Sequence, residues 1–365
     1  MLNKLTTSLA QHTNKATMTI ALILGLGLTT SATSLAAPAQ ARTAAAPAAS
    51  ATINLDELAK YAGIDRLLLD QAITQATYQQ KIIDTMNKPY EGKPWYKYQK
   101  LFITDKRIQG GINFYLQHEQ ELLRAQNELG VAPEVICAII GVETFFGQNM
   151  GTWKVLDALY TLGFHYPKRS SYFSKEFANY IKLANREGWT LTDVKGSYAG
   201  AMGMGQFMPS SYLNYAIDFD GDNHVNLFTN STDAIGSVAN YFKGHGWILG
   251  QGVLYPAHTS QVSKDVLDSL VKKEWNLTPR ELQQAGVSTK VNLSTNQNVR
   301  LFAFELEDGS FDYQVGLNNF NTITKYNKSP LYARAVFELS EAIAVGYQER
   351  KLLQGQFVAP EGKQP

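Results

Sequence analysis

Residues 133–145, Pro-Glu-Val-Ile-Cys-Ala-Ile-Ile-Gly-Val-Glu-Thr-Phe, constrain this chain more than any other stretch. Pro133 suits the first turn of a helix, and the residues after it are apolar on nearly every side. A helix without a polar face is buried all round, so other elements must surround it. Glu143 sits near its C-terminal end. Loss of water and the negative end of the helix dipole both raise a carboxyl pKa there. Such a group can hold a proton near neutrality and then deliver it, as general acid–base chemistry requires. It would equally suit a plain ion pair with a buried Arg or Lys, and the helix alone does not separate the two. Cys137, the one cysteine in the chain, lies inside the apolar run and is expected as a small core residue.

The first 41 residues have the pattern of an export signal. Lys4 and Lys15 form a basic start, Met18 to Leu28 is an uncharged apolar run, and Ala39-Gln40-Ala41 matches an A-x-A cleavage site. The run is too short to span a bilayer, and no cysteine follows it to carry a lipid. A cleaved, soluble, periplasmic protein is expected. Those residues hold no acid and no Arg, so their removal takes two from the 33 bases that face 32 acids. A balance near neutrality argues against nucleic acid as partner.

An Ala- and Pro-rich linker is expected over 42–54. Helical periodicity then dominates 55–250: from Leu55, from Asp65 to Met86, and from Asp105 to Leu129, with Thr104 as N-cap and Gly130 as stop. Residues 153–187 are mainly helical with a break at His165-Tyr166-Pro167, and another helix runs from Asp233 to Lys243. A small β-containing segment follows over 251–325. Its hairpin joins 298–306 to 311–315 through Glu307-Asp308-Gly309-Ser310, and Asn321 to Tyr326 is expected as a third strand. Residues 326–353 return as a last helix from Pro330, and 354–365 form a polar tail. The fold class is mainly α (α+β).

Ser197-Tyr198-Ala-Gly-Ala-Met-Gly-Met-Gly-Gln206-Phe-Met-Pro-Ser210 is the most unusual segment. Counted from Gly196, four glycines in ten residues expose backbone that a ligand can touch, flanked by soft apolar side chains. No Lys-Ser or Lys-Thr ends it, so it is not a phosphate loop. Neither a zinc-type histidine pair nor a G-x-S-x-G elbow occurs.

Gly141-Val142-Glu143-Thr144 followed by Gly-Ala-Met-Gly-Met-Gly-Gln-Phe-Met-Pro-Ser resembles the B family of lytic murein transglycosylases. The resemblance continues through Ile235 to Phe242, His245-Gly246-Trp247 and Thr322-Ile-Thr-Lys-Tyr-Asn327, covering roughly residues 95–345. It implies a lysozyme-like catalytic core that acts on peptidoglycan glycan strands. It also implies Glu143 as the single acid and base, with the C6 hydroxyl of the substrate closing a 1,6-anhydro ring. Ser197 and Gln206 match saccharide-contacting positions, and Tyr98, Tyr241, Tyr326, Asn327 and Tyr332 align with cleft residues. The implied protein is a monomer whose protein partners would come from cell-wall synthesis or division. A hydrolytic muramidase of the same fold and a non-catalytic glycan-binding protein are the alternatives.

Asp218-Phe-Asp220-Gly-Asp222-Asn-His224-Val-Asn226 has the carboxylate spacing of an EF-hand loop, with the His224 carbonyl at position 7. Asn223 replaces the usual glycine at position 6 and tolerates a positive φ, while Thr229 at position 12 cannot be the bidentate ligand. The family resemblance implies a structural Ca²⁺ closed by a later acid, for which Asp233 is the candidate.

Overall fold

The computed structural model describes residues 53–88, 93–294 and 297–355. The export segment, nearly all of the linker and most of the polar tail lie outside the described residues. No helix among the described residues is long and apolar enough to cross a membrane.

Four helices open the fold: α1 (Leu55–Ala62), α2 (Arg66–Gln75), α3 (Gln80–Met86) and α4 (Trp95–Phe102). Local chemistry sets their limits. Asn54 caps α1 through the amides of Asp56 and Glu57, and Gly63 ends it at φ 67°. Next come α5 (Asp105–Gln117), α6 (Glu119–Leu129) and α7 (Pro133–Thr144). Thr104 caps α5 and Gly130 stops α6 in the left-handed conformation, as their sequence positions predict. The single helix expected over 105–129 is instead two. His118 breaks it at φ −118°, with its ring 4.6 Å from that of Phe114. One displaced residue leaves the apolar period intact on both sides, so periodicity alone does not reveal it.

Helix α7 is the centre of the molecule. Every residue from Val135 to Thr144 is buried, Cys137 included. Helices α5, α6 and two later ones, α11 (Ser231–Gly244) and α15 (Pro330–Leu353), enclose it. Each fully buried Val or Ile on it contributes about 1.5–3 kcal/mol, so a truncation such as Ile139→Ala would cost roughly 2–5 kcal/mol.

Between α7 and α11 run a short strand β1 (Trp153–Lys154), α8 (Val155–His165), α9 (Ser170–Glu187), β2 (Lys195–Gly196) and α10 (Pro209–Tyr215). Strands β1 and β2 pair antiparallel at the entry to the glycine-rich segment.

A four-stranded antiparallel sheet is built from β3 (Leu254–His258), β4 (Ser288–Thr289), β5 (Arg300–Glu305) and β6 (Phe311–Gly316), in the order β4-β3-β6-β5. The β5–β6 hairpin matches the sequence expectation. Leu301 faces Val315, and Asp308 and Gly309 form the turn. Helices α12 (Lys264–Lys272) and α13 (Pro279–Gln284) close a second, smaller core against this sheet, around Leu270, Leu282, Leu301 and Val315.

The third strand expected at 321–326 is not a strand. It belongs to helix α14 (Asn318–Tyr326), with Asn319, Phe320, Thr322 and Ile323 buried at helical spacing. The β-branched run Thr322-Ile323-Thr324 favours a strand locally, and packing on the core overrides that weak preference. Helix α15 then docks on α4, α5, α7 and α14. Arg334 fixes its angle by bridging Asp312 on β6 at 2.6 Å and lying over the rings of Trp95 and Phe304.

Candidate active site

Glu143 occupies the last turn of α7 with only 8% of its surface exposed. Its polar partner comes from α15, where the Tyr332 hydroxyl donates to Glu143 Oε1 at 2.5 Å. Burial raises the carboxyl pKa to about 7, and the Tyr332 bond opposes part of that rise. Neither a buried Arg or Lys nor a second carboxylate contributes to the shift. The ion-pair role left open by the helix pattern is therefore not the one this carboxyl has. Arg107, buried nearby on α5, is spent on carbonyls: Gly141 of α7, and Leu101 and Phe102 at the end of α4.

The chain leaves α7 through an unusual turn. Phe145 at φ 52°, Phe146 at 59° and Gly147 at 82° are all left-handed. Two consecutive aromatic residues in that region are strained, and such strain persists only where the surroundings hold it. Here Phe146 is slotted against Gly110 of α5 and Gly141 of α7, where a Cβ would lie within 2.7 Å of its ring.

The glycine-rich segment forms one wall. Gly196 lies so close to the Ala201 carbonyl that a Cβ would come within 2.2 Å of it. The Ser197 hydroxyl oxygen accepts the amides of Ala199 and Ala201, holding the turn from inside. Gln206 sits at φ 50°, a left-handed position for a non-glycine residue. Its Nε2 donates to the Met150 and Gly203 carbonyls, while its buried Oε1 meets no partner among the described residues. Strain and an unsatisfied buried acceptor on one residue mark a functional position more than a packing one.

The aromatic residues named from the sequence converge on the same place. The Tyr326 hydroxyl donates to the Gly205 carbonyl, and its ring meets that of Tyr241 edge-on at 4.7 Å. Tyr241 donates to the Lys325 carbonyl. Burial raises the pKa values of Tyr326 and Tyr332, and both lie close enough to Glu143 for its charge to add to the rise. Tyr98 is a buried ring between Trp95 and Phe102, near Tyr332. Asn327 is used differently: its side chain accepts the Ser329 amide and shapes the turn between α14 and α15. Beside Gln206, a cleft of about 400 Å³ runs along Met150 and Gly151 to Trp189, Asp193, Lys195 and Phe228.

The acidic loop is tied to this wall just past its end, where the Leu227 carbonyl accepts the Met204 amide. Carboxylate oxygens of Asp218, Asp220 and Asp222 approach within 4.8 Å of one another. The two Asp218 oxygens accept the amides of Gly221 and Asn223, and Asp222 Oδ1 accepts the amide of His224, which folds the loop. Asn223 takes φ 70°, the conformation its position in the motif requires. An Asn230 side chain donates to Asp220 and holds that carboxyl below its usual range. Asp233 stands outside the trio. It is fully buried, and its two oxygens accept the amides of Phe219 and Asn226, closing the two ends of the loop. The His224 side chain is exposed. Three converging hard oxygen donors suit a divalent cation such as Ca²⁺.

Residues that the sequence did not single out complete the site. Thr144, Arg107 and the Phe145-Phe146 pair fix the end of α7. Glu176 on α9 accepts the amide and hydroxyl of Ser210 and so anchors the exit of the glycine-rich segment. Their partners lie 34 or more residues away in the cases of Glu176, the Arg107–Gly141 bond and the Thr144–Met204 bond, a distance no local pattern reports.

A mainly helical core that buries Glu143 at the end of its central helix, with its pKa raised to about 7, has the design of a lysozyme-like enzyme. Residues 48–341 match the family described as Transglycosylase SLT domain. Membrane-bound lytic murein transglycosylase B of Escherichia coli strain K12 is 41% identical over 301 residues, 80% of this chain and 81% of that protein. The X-ray structure of catenated lytic transglycosylase SltB1 from Pseudomonas aeruginosa is similar with a TM-score of 0.74 and 42% identity, over 80% of this chain and 96% of that one. The E. coli lytic transglycosylase Slt35 in complex with calcium gives a TM-score of 0.70 and 40% identity, over 80% and 92%. The chain belongs to the Transglycosylase SLT family.

Proposed function

We propose that this protein is a peptidoglycan lytic transglycosylase that cleaves the β-1,4 bond between N-acetylmuramic acid and N-acetylglucosamine, with Glu143 as its acid and base. The observation that carries this is the isolated state of Glu143: buried, with its pKa raised to about 7 and no carboxylate among the described residues contributing to that shift. A hydrolase of the usual two-carboxylate design needs a second acid within about 5–10 Å. A lone carboxyl suits a reaction in which the substrate supplies the other groups.

The steps balance on one proton. Tyr332 holds Oε1, leaving Oε2 to carry the proton and hand it to the glycosidic oxygen as the C1–O bond breaks. The 2-acetamido group of the substrate stabilises the cationic C1. Its C6 hydroxyl then attacks C1 and returns a proton to the Glu143 carboxylate, closing the 1,6-anhydro ring and restoring the acid. In this reading Gln206 Oε1 accepts a saccharide hydroxyl or amide, and Ser197 with Tyr98, Tyr241, Tyr326, Asn327 and Tyr332 shapes the saccharide site. The cleft past Met150, with the rings of Trp189 and Phe228, carries further sugars of the strand.

Asp218, Asp220 and Asp222, with the backbone of His224, would hold Ca²⁺, and Asp233 would brace the loop around it. The ion would offset most of the charge of the three carboxylates and stiffen the loop. Export and cleavage after residue 41, which would put the enzyme in the periplasm facing the wall, belong to the same proposal.

Digestion of purified sacculi tests it. Wild-type enzyme should release anhydromuropeptides, one water lighter than hydrolysis products by mass spectrometry. Glu143→Gln should lose that release by about a thousandfold or more while still binding glycan. Full turnover by the variant removes Glu143 from the mechanism, and products of hydrolytic mass assign a muramidase instead.

A further inference from the structure

We propose that Thr144 is a positioning residue, a side chain that keeps Glu143 in register with the glycine-rich wall. The inference rests on Glu143 being the acid. Thr144 is fully buried at the last position of α7. Its hydroxyl donates to the Met204 carbonyl at 2.8 Å, with the Ile140 carbonyl as a weaker alternative at 3.2 Å, and accepts the Gly147 amide at 2.9 Å.

Each partner has a role in the site. Gly147 is the last residue of the left-handed turn that ends the helix, so its amide bond helps hold that strained turn closed. Met204 lies two residues before Gln206, and its own amide donates to the Leu227 carbonyl at 2.7 Å. Leu227 directly follows Asn226, which Asp233 holds. Met204 is therefore bonded through its carbonyl to the helix end and through its amide to the exit of the acidic loop. Removing the Thr144 hydroxyl takes the partner from the buried Met204 carbonyl and from the half-buried Gly147 amide. The neighbouring Glu143 carboxyl and the Gln206 wall then lose their common anchor.

Three variants, with kcat, KM and pH profiles on soluble glycan strands, test this. Thr144→Val keeps the shape and loses the hydroxyl. It should cost about 10- to 100-fold in kcat with little change in KM, the effect of misplacing a catalytic group without losing the binding surface. Its alkaline limb should also move below about 7, because a loosened Glu143 gains water. Thr144→Ser keeps the hydroxyl and should recover most of kcat and the limb. A Thr144→Val enzyme that melts earlier yet keeps wild-type kcat and pH limb overturns the proposal, since the residue is then only structural. If that variant does not fold, Thr144→Ala is measured in its place, and the same results support or overturn the role. Activity in Glu143→Gln would defeat the assignment of the acid; loss there with a fully active Thr144→Val defeats only the positioning role.

Discussion

Two kinds of carboxylate stand in the regions that the glycine-rich segment joins through Met204, and the protein treats them in opposite ways. Glu143 is dry, with one hydroxyl donor, and its pKa is pushed up to about 7. Asp220 is in water, bonded to an amide side chain and a backbone amide, and its pKa is pulled down. The chemical group is the same, so the difference lies in hydration and in the number of donors. A protonated acid suits proton delivery, whereas a cluster of ionised ones suits a cation. The contrast shows that neighbours, and not the residue type, assign the role.

The comparison breaks most visibly in activity. Glu143→Gln should cost about three orders of magnitude in turnover, while Asp220→Asn should leave kcat near wild type; equal losses in both would merge the two roles. Stability comes next. Because the folded pKa of Glu143 lies above the ordinary carboxyl value, its ionisation destabilises the fold as pH rises from about 4.5 through 7. Glu143→Gln should therefore be more stable than wild type at pH 8, by up to ~3 kcal/mol, and no more stable at pH 4. Urea melts at the two pH values decide it, and a pH-independent difference counts against the buried-acid assignment.

A smaller effect concerns the cation. Ca²⁺ at a hundredfold excess over Kd should add about 2.7 kcal/mol, raising Tm by several degrees, and EDTA should reverse it. Melting indifferent to both denies a Ca²⁺ site on the loop. The subtlest change is at Tyr332. Its bond favours the ionised acid, so Tyr332→Phe should shift the alkaline limb of kcat/KM upward from about 7. A limb that stays in place means that the hydroxyl does not tune Glu143.

Much of the fold was legible in the sequence because it is written locally. The burial of α7, the caps Thr104 and Gly130, the β5–β6 hairpin and the φ of Asn223 all follow from neighbours within a few residues. The strand expected at 321–326 failed where packing on the core overrode β-branched propensity, and the break at His118 went unseen because one residue does not disturb a helical period. Within the site, an apolar helix announced Glu143, and the glycine spacing announced the wall. The Tyr332 bond, the Thr144 clamp and the anchoring of Ser210 by Glu176 join residues far apart in sequence. Family resemblance could bring Tyr332 to the cleft but held no hint that it grips the acid itself.

That bond between Tyr332 and Glu143 crosses 189 positions of the chain, and it makes the state of the acid depend on both ends of that span. Helix α15 completes the shell around α7, so until it docks, Glu143 lacks both its hydroxyl donor and part of its cover. A chain whose last helix has not yet arrived, or has been clipped away, carries an ordinary solvated glutamate that is ionised at neutral pH. The acid of this site is thus a property of the assembled helices and not of α7 alone.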